Sequence, residues 1–174
     1  MRITMTALLL LFLAACSGGA PERRATAPEP IETTFIVVRH AEKSAEDPRD
    51  PSLDASGGRR ASALAAQLAE RPLSAIYAST TRRARQTAAP TAERQGLEIR
   101  QYDPARPVSE LATVLHTRHA GGTVLVVGHS NTVPGIVAAL CACQVAPLDE
   151  DDYGDLYEVR IGADGGAELR HLDY

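Results

Sequence analysis

Tryptophan is absent from the 174 residues, phenylalanine occurs only twice, and aromatic residues make up 4% of the chain. A core drawn from this composition rests on Ala, Leu, Val and Ile, because hydrophobic residues still amount to 44%. That suits one globular domain with a real interior. An excess of positive charge is missing too, the formal net charge being −4. No general field attracts nucleic acid, and any affinity for an anion must come from individual arginines. No internal repeat and no second domain can be read from the chain. The longest apolar run, Ala7 to Ala15, is too short to cross a bilayer as a helix.

That run follows Arg2 and has the anatomy of a signal peptide, expected over residues 1–15. It ends in Leu13-Ala14-Ala15-Cys16, which resembles the lipobox of bacterial lipoproteins. The resemblance implies a lipidated Cys16 as first mature residue, with Ser17 favouring the outer membrane, facing the periplasm. Several acyl chains on one cysteine would make the membrane a stable partner. Residues 16–32 hold Gly18, Gly19, Pro21, Pro28 and Pro30 and almost no large apolar side chain. They read as a flexible tether, since so little buried surface cannot offset ordering entropy.

Residues 33–174 form the expected domain. Phe35-Ile36-Val37-Val38, Ala75 to Ala78, Leu97 to Tyr102 and Thr123 to Val127 read as strands. Helices are expected over Ser56 to Glu70, Arg82 to Gln95 (ended by Gly96), Ser109 to His119 and Val133 to Leu140. Leu156 to Ile161 and Ala167 to Leu172 read as a closing hairpin. The alternation predicts an α/β fold, a three-layer α/β/α sandwich with a mostly parallel central sheet. Ligands bind such sheets beyond the carboxyl ends of the strands. Arg39-His40, Ser79 to Arg83, and His129 each follow a strand, so three loops on one rim deliver these side chains.

The residue types point to phosphate. An arginine fork can donate to two phosphate oxygens, and Arg39 and Arg83 supply two forks. Neutral imidazole is a nucleophile near neutral pH, and adjacent arginines favour the neutral form. A second histidine, if protonated, adds a donor. Covalent phosphoryl transfer through phosphohistidine follows, with no metal or cofactor required.

Val37-Val38-Arg39-His40-Ala41-Glu42-Lys43 resembles the opening motif of the histidine phosphatase superfamily, which includes phosphoglycerate mutase-like enzymes. Tyr77 to Ala88 resembles its second motif, in which Arg follows a strand-ending Ser by four positions. Val126 to Asn131 resembles the third. The resemblance implies a phosphoglycerate mutase-like fold, His40 as the nucleophile, and Arg39, Arg83 and His129 as phosphoryl-binding groups. The spacing from Ser79 selects Arg83 over Arg82 and Arg85, which read as a solvated helix face. Ala41 stands where the family has glycine.

The family's proton donor falls between the second and third motifs. Asp103, past the third strand, is preferred for its place on the rim. Glu110 fits a helix N-terminus, and short phosphohistidine phosphatase-like members lack a clear acid. Glu42 and Lys43 read as solvated loop charges; Ser130 and Asn131 are candidate donors to phosphate or the arginines, with a helix cap as the alternative for Asn131.

Cys141-Ala142-Cys143, with His116 and His119 elsewhere, matches no common zinc spacing, and a disulfide between cysteines two apart requires strained geometry. Asp149 to Asp152 read as a solvated turn. The expected function is hydrolysis of small phosphate monoesters, with a small phosphorylated substrate and no nucleic-acid partner. The rivals are a phosphate-binding lipoprotein without turnover, a phosphohistidine-protein phosphatase, and a mutase-type transferase. The short segment between the second and third motifs argues against a mutase.

Overall fold

The computed structural model describes residues 32–174. The expected signal peptide, Cys16 and nearly all of the tether lie outside the described residues. Within them, no helix is long and apolar enough to cross a membrane.

Six strands form one sheet: β1 (Thr33–Arg39), β2 (Ala75–Ser79), β3 (Ile99–Tyr102), β4 (Thr123–Gly128), β5 (Asp155–Ile161) and β6 (Ala167–Asp173). Their order across the sheet is β3-β2-β4-β1-β5-β6. The first four run parallel and the last two antiparallel, as a mostly parallel sheet with a closing hairpin requires. Alternate residues of the central strands enter different cores. Val37, Tyr77 and Val126 pack under α3 (Val108–Arg118) and α4 (Val133–Cys141). Val38, Ala78 and Val127 pack with Leu64 and Ala88 of α1 (Ala55–Gln67) and α2 (Arg82–Gln95). The three-layer α/β/α architecture is as expected.

The helix bounds follow local chemistry. Asp54 caps α1 by accepting from the Gly57 backbone N–H at 2.8 Å. The helix stops at Gln67, short of Glu70, where backbone bonds switch to tighter turns, Ala69 donating to Ala66 and Arg71 to Leu68. Gly96 ends α2 in the left-handed region at φ 64°, as its position predicts.

Topology builds the rim. The chain goes from β1 to β2, outward to β3, then back, so that β4 fills the place between β2 and β1. The carboxyl ends of β2, β4 and β1 thereby become neighbours. β3 is left at the edge, about 14 Å from β1 at ~4.8 Å per strand step.

Candidate active site

Four of the sequence-selected residues meet at the carboxyl ends of the three adjacent strands. Arg39 ends β1, His40 follows it, His129 follows β4, and Arg83 lies in the first turn of α2. His40 and His129 are buried, with ring centroids 5.2 Å apart.

Hydrogen bonds settle which nitrogen of His40 carries the proton. Its Nδ1 lies 2.8 Å from the Ala41 carbonyl, which can only accept, so Nδ1 carries the proton. The lone pair is therefore on Nε2, where the Arg83 Nε–H donates at 3.0 Å. The Arg83 Nη2 group donates to His129 Nδ1 at 3.3 Å, and His129 Nε2–H donates to Ser79 Oγ at 2.7 Å. One guanidinium thus spans both imidazoles.

Burial is the main force on the basicity of both rings. Desolvation, countered by the Ala41 bond and reinforced by Arg83, His129 and Arg39, pushes His40 down to about 3. His129 falls to about 4 through desolvation, Arg83, Arg39 and Lys43. Both rings are neutral near pH 7. His129 presents a lone pair to Arg83, which differs from the protonated donor considered from sequence; a bound phosphate would favour its protonation.

Arg39 departs further from expectation. Its Nη1 donates to the carbonyls of Asp149 (2.9 Å) and Asp152 (2.8 Å), and its Nη2 to that of Glu150 (2.7 Å). The guanidinium stacks 4.1 Å from the centre of the Tyr153 ring. Both ends of the fork are held by a strap of residues 149–153, and only Nε is buried without a partner. Arg39 is 1% exposed, so that orphan N–H has a desolvation cost an anion would relieve. The expected solvated turn is this strap.

Other groups hold the loop after His40. Thr87 Oγ accepts from the Ala41 N–H at 2.9 Å and donates to the Arg83 carbonyl at 2.9 Å, tying the first motif to the second. Glu42, expected as a solvated charge, receives a forked contact from Arg60 of α1, at 2.7 Å to Nη2 and 2.9 Å to Nε. A Cβ on Gly57 would sit 2.2 Å from the Glu42 carbonyl oxygen, so glycine lets α1 approach this loop. Ser130 Oγ donates to Glu150 Oε1 at 2.7 Å. Asn131 is exposed; the helix cap position is Thr132, whose Oγ accepts from the His129 N–H at 3.0 Å.

Sequence reasoning missed Ser79 as the partner of His129, Thr87, Thr132 and the strap. Thr87 falls within the second motif, four positions after Arg83, which was the available signal for it. The strap's three hydrogen bonds to Arg39 come from main-chain carbonyls, which leave no mark in the sequence.

The proton-donor candidates are not brought to this cluster. Asp103 is exposed and accepts from the Ala105 N–H at 2.9 Å, a turn contact. It lines a separate cavity of about 450 Å³ between β3 and α3, with Arg100, Tyr102, Leu111 and Thr132. Glu110 pairs with Arg106 at 2.6 Å. Cys141 and Cys143 form a disulfide at the end of α4, where Ala142 adopts φ 50°, so the geometric objection from sequence is met by a left-handed residue. Among the described residues no group of histidine, cysteine and carboxylate side chains is placed to hold a metal ion.

Residues 35–106 match the family model of the histidine phosphatase superfamily (branch 1). No curated protein sequence matches the chain. Among solved structures, a protein histidine phosphatase SixA complexed with tungstate is similar, at 18% identity and TM-score 0.65 over 80% of this chain and 96% of that one. SixA from Nakamurella multipartitia is 25% identical, with TM-score 0.60 over 81% and 95% of the two chains. A mycobacterial glucosyl-3-phosphoglycerate phosphatase is 16% identical, with TM-score 0.65 over 82% and 98%. The family model covers the first two motifs, with Arg39, His40 and Arg83, and the described domain as a whole shares the fold of these solved phosphatases.

Proposed function

We propose that this hydrolase cleaves small phosphate monoesters through a phosphohistidine on His40. The observation that carries the reading is the unprotonated Nε2 of a neutral, buried imidazole whose Nδ1–H is held by the Ala41 carbonyl; the Arg83 Nε–H that occupies this lone pair turns to the phosphoryl oxygens when an ester binds. In the first step Nε2 attacks phosphorus as the bond to the leaving oxygen breaks. That oxygen takes the electron pair and a proton from water. The phosphorylated ring gains positive charge, which the Nδ1–H bond to Ala41 stabilises. Arg83, the orphan Nε of Arg39 and a protonated His129 bind the phosphoryl oxygens as charge redistributes. In the second step water attacks phosphorus, Nε2 recovers its electron pair, and phosphate leaves.

The test is to incubate the protein with 4-nitrophenyl phosphate, quench in alkali and map bound phosphate. Label on His40 that disappears with turnover in His40→Ala is the expected result. Sustained turnover by His40→Ala would overturn the mechanism, and affinity for phosphate without turnover in the native protein would favour a binding protein.

The apolar run, Leu13-Ala14-Ala15-Cys16 and the Pro- and Gly-rich residues after it support a further proposal. The domain is exported and anchored by lipid on Cys16, at the outer membrane facing the periplasm. Cys16→Ser should move the protein from the membrane to the soluble periplasmic fraction; an unchanged distribution counts against the anchor.

A further inference from the structure

The phosphate cluster is cationic, yet the side chains at its edge include carboxylates on two opposite loops. On one side, Asp50 Oδ1 accepts from the Arg82 backbone N–H at 2.8 Å and lies 3.9 Å from Arg83 Nη1. On the other, Glu150 Oε1 accepts from Ser130, and Oε2 lies 3.6 Å from Arg39 Nη2. The Glu150 side chain is 75% exposed, so most of its charge faces whatever approaches the site. Asp149, Asp151 and Asp152 share its turn. Besides Arg39 and Arg83, Lys43 acts electrostatically on Glu150, and the Arg82 guanidinium is engaged with Ser52 Oγ at 3.3 Å.

These charges act on different parts of a substrate. A phosphoryl group reaching His40 meets Arg83, whose Nε–H already lies 3.0 Å from His40 Nε2. Glu150 lies beside Arg39 and Asp50 beside Arg83, so the group attached to that phosphoryl comes within range of both carboxylates. A carboxylated or multiply phosphorylated leaving group would face like charge there, whereas a cationic nitrogen would face opposite charge.

We infer that Glu150, with Asp50, selects phosphate monoesters whose leaving group carries positive charge and rejects those whose leaving group is anionic. The inference rests on the phosphatase reading above. Ser130 holds the Glu150 carboxylate at the edge of the site, while the strap carbonyls saturate the Arg39 fork. Arg39 is thereby kept from serving a second anion.

The test compares phenyl phosphate with 3-(trimethylammonio)phenyl phosphate and 3-carboxyphenyl phosphate, in native protein and in Glu150→Gln. Glutamine retains an oxygen for Ser130 and removes only the charge. Comparing each substrate between the two proteins cancels the differing acidity of the phenols. The ratio of kcat/KM for the cationic over the anionic ester should fall about fivefold in Glu150→Gln, with a smaller fall in Asp50→Asn. In native protein the same ratio should shrink as salt is raised, which a purely structural role for Glu150 would not produce. Turnover of phenyl phosphate with a ratio unmoved by Glu150→Gln and by salt overturns the charge selection alone. Failure of native protein to turn over any of the three esters overturns the hydrolysis mechanism, and this inference with it.

Discussion

The ends of β1, β4 and β2 and the end of β3 lie on the same rim of one sheet, yet they differ in almost every physical respect. The first group is buried, and its side chains are tied together. Arg83 touches both histidines, Ser79 holds His129, and Thr87 holds the loop after His40. The end of β3 is solvated, and Asp103 there bonds only to its own turn. The cause is lateral order. Return of the chain through β4 makes neighbours of the three loops that carry the clustered residues and leaves the fourth at the edge, beside β2 but three strand positions from β1 and His40. A place on the correct rim is therefore necessary for a role in the site, and distance across the sheet from His40 on β1 decides whether the role is possible.

The comparison is broken most severely at its centre. His40→Ala removes the proposed nucleophile, and kcat should fall by at least about 10³-fold in steady-state assays. Arg83→Ala comes next. It removes the one side chain that bridges both imidazoles, and a loss of about 10²-fold in kcat/KM is expected from deletion of a charged transition-state donor. Arg83→Lys should recover little of this, because a single ammonium cannot span His40 Nε2 and His129 Nδ1 together.

Acid should expose the same asymmetry in stability. Folding lowers the basicity of His40 to about 3 and of His129 to about 4, while the unfolded chain keeps values near ~6.5. Above pH ~6.5 neither state holds these protons. Below it the unfolded chain takes up protons the folded one refuses, so stability is lost as pH falls from ~6.5 toward 4. Each ring contributes a slope of up to about 1.4 kcal/mol per pH unit. His119, also lowered by burial, acts in the same direction. Denaturant midpoints measured across that window should flatten in His40→Gln, and an unaltered slope would contradict the neutral, buried ring.

Much of this arrangement was legible in the sequence, and the part that was not shares a physical character. The end of α2 was readable because Gly96 closes it with backbone freedom specific to glycine, whereas the Thr81 cap at its start was revealed by the structure. The strands were readable as continuous apolar runs, and their burial on both faces is what makes such runs necessary. The four clustered residues were readable because each follows a strand at its carboxyl end. Strand order was not, since β3 and β4 carry no signal of which neighbour they will pair with. The strap was not, because the carbonyls of Asp149, Glu150 and Asp152 that grip Arg39 would be present with any side chains.

The smallest effect sharpens the comparison from the outer side. Asp103 was the preferred proton donor on rim position alone, and the structure leaves it exposed at the edge strand, lining a cavity that includes none of His40, Arg83 or His129. Asp103→Asn keeps an oxygen for the Ala105 N–H and removes the titrating carboxyl. With a good leaving group such as 4-nitrophenol no acid is needed, so the decisive substrate is phenyl phosphate, whose leaving oxygen is more basic. If β3 lies outside the chemistry, kcat/KM for both esters should stay within about twofold of native. A loss confined to phenyl phosphate, of about tenfold or more, would mean that the edge loop closes on the bound ester. The two ends of the rim would then be distinct only until substrate arrives.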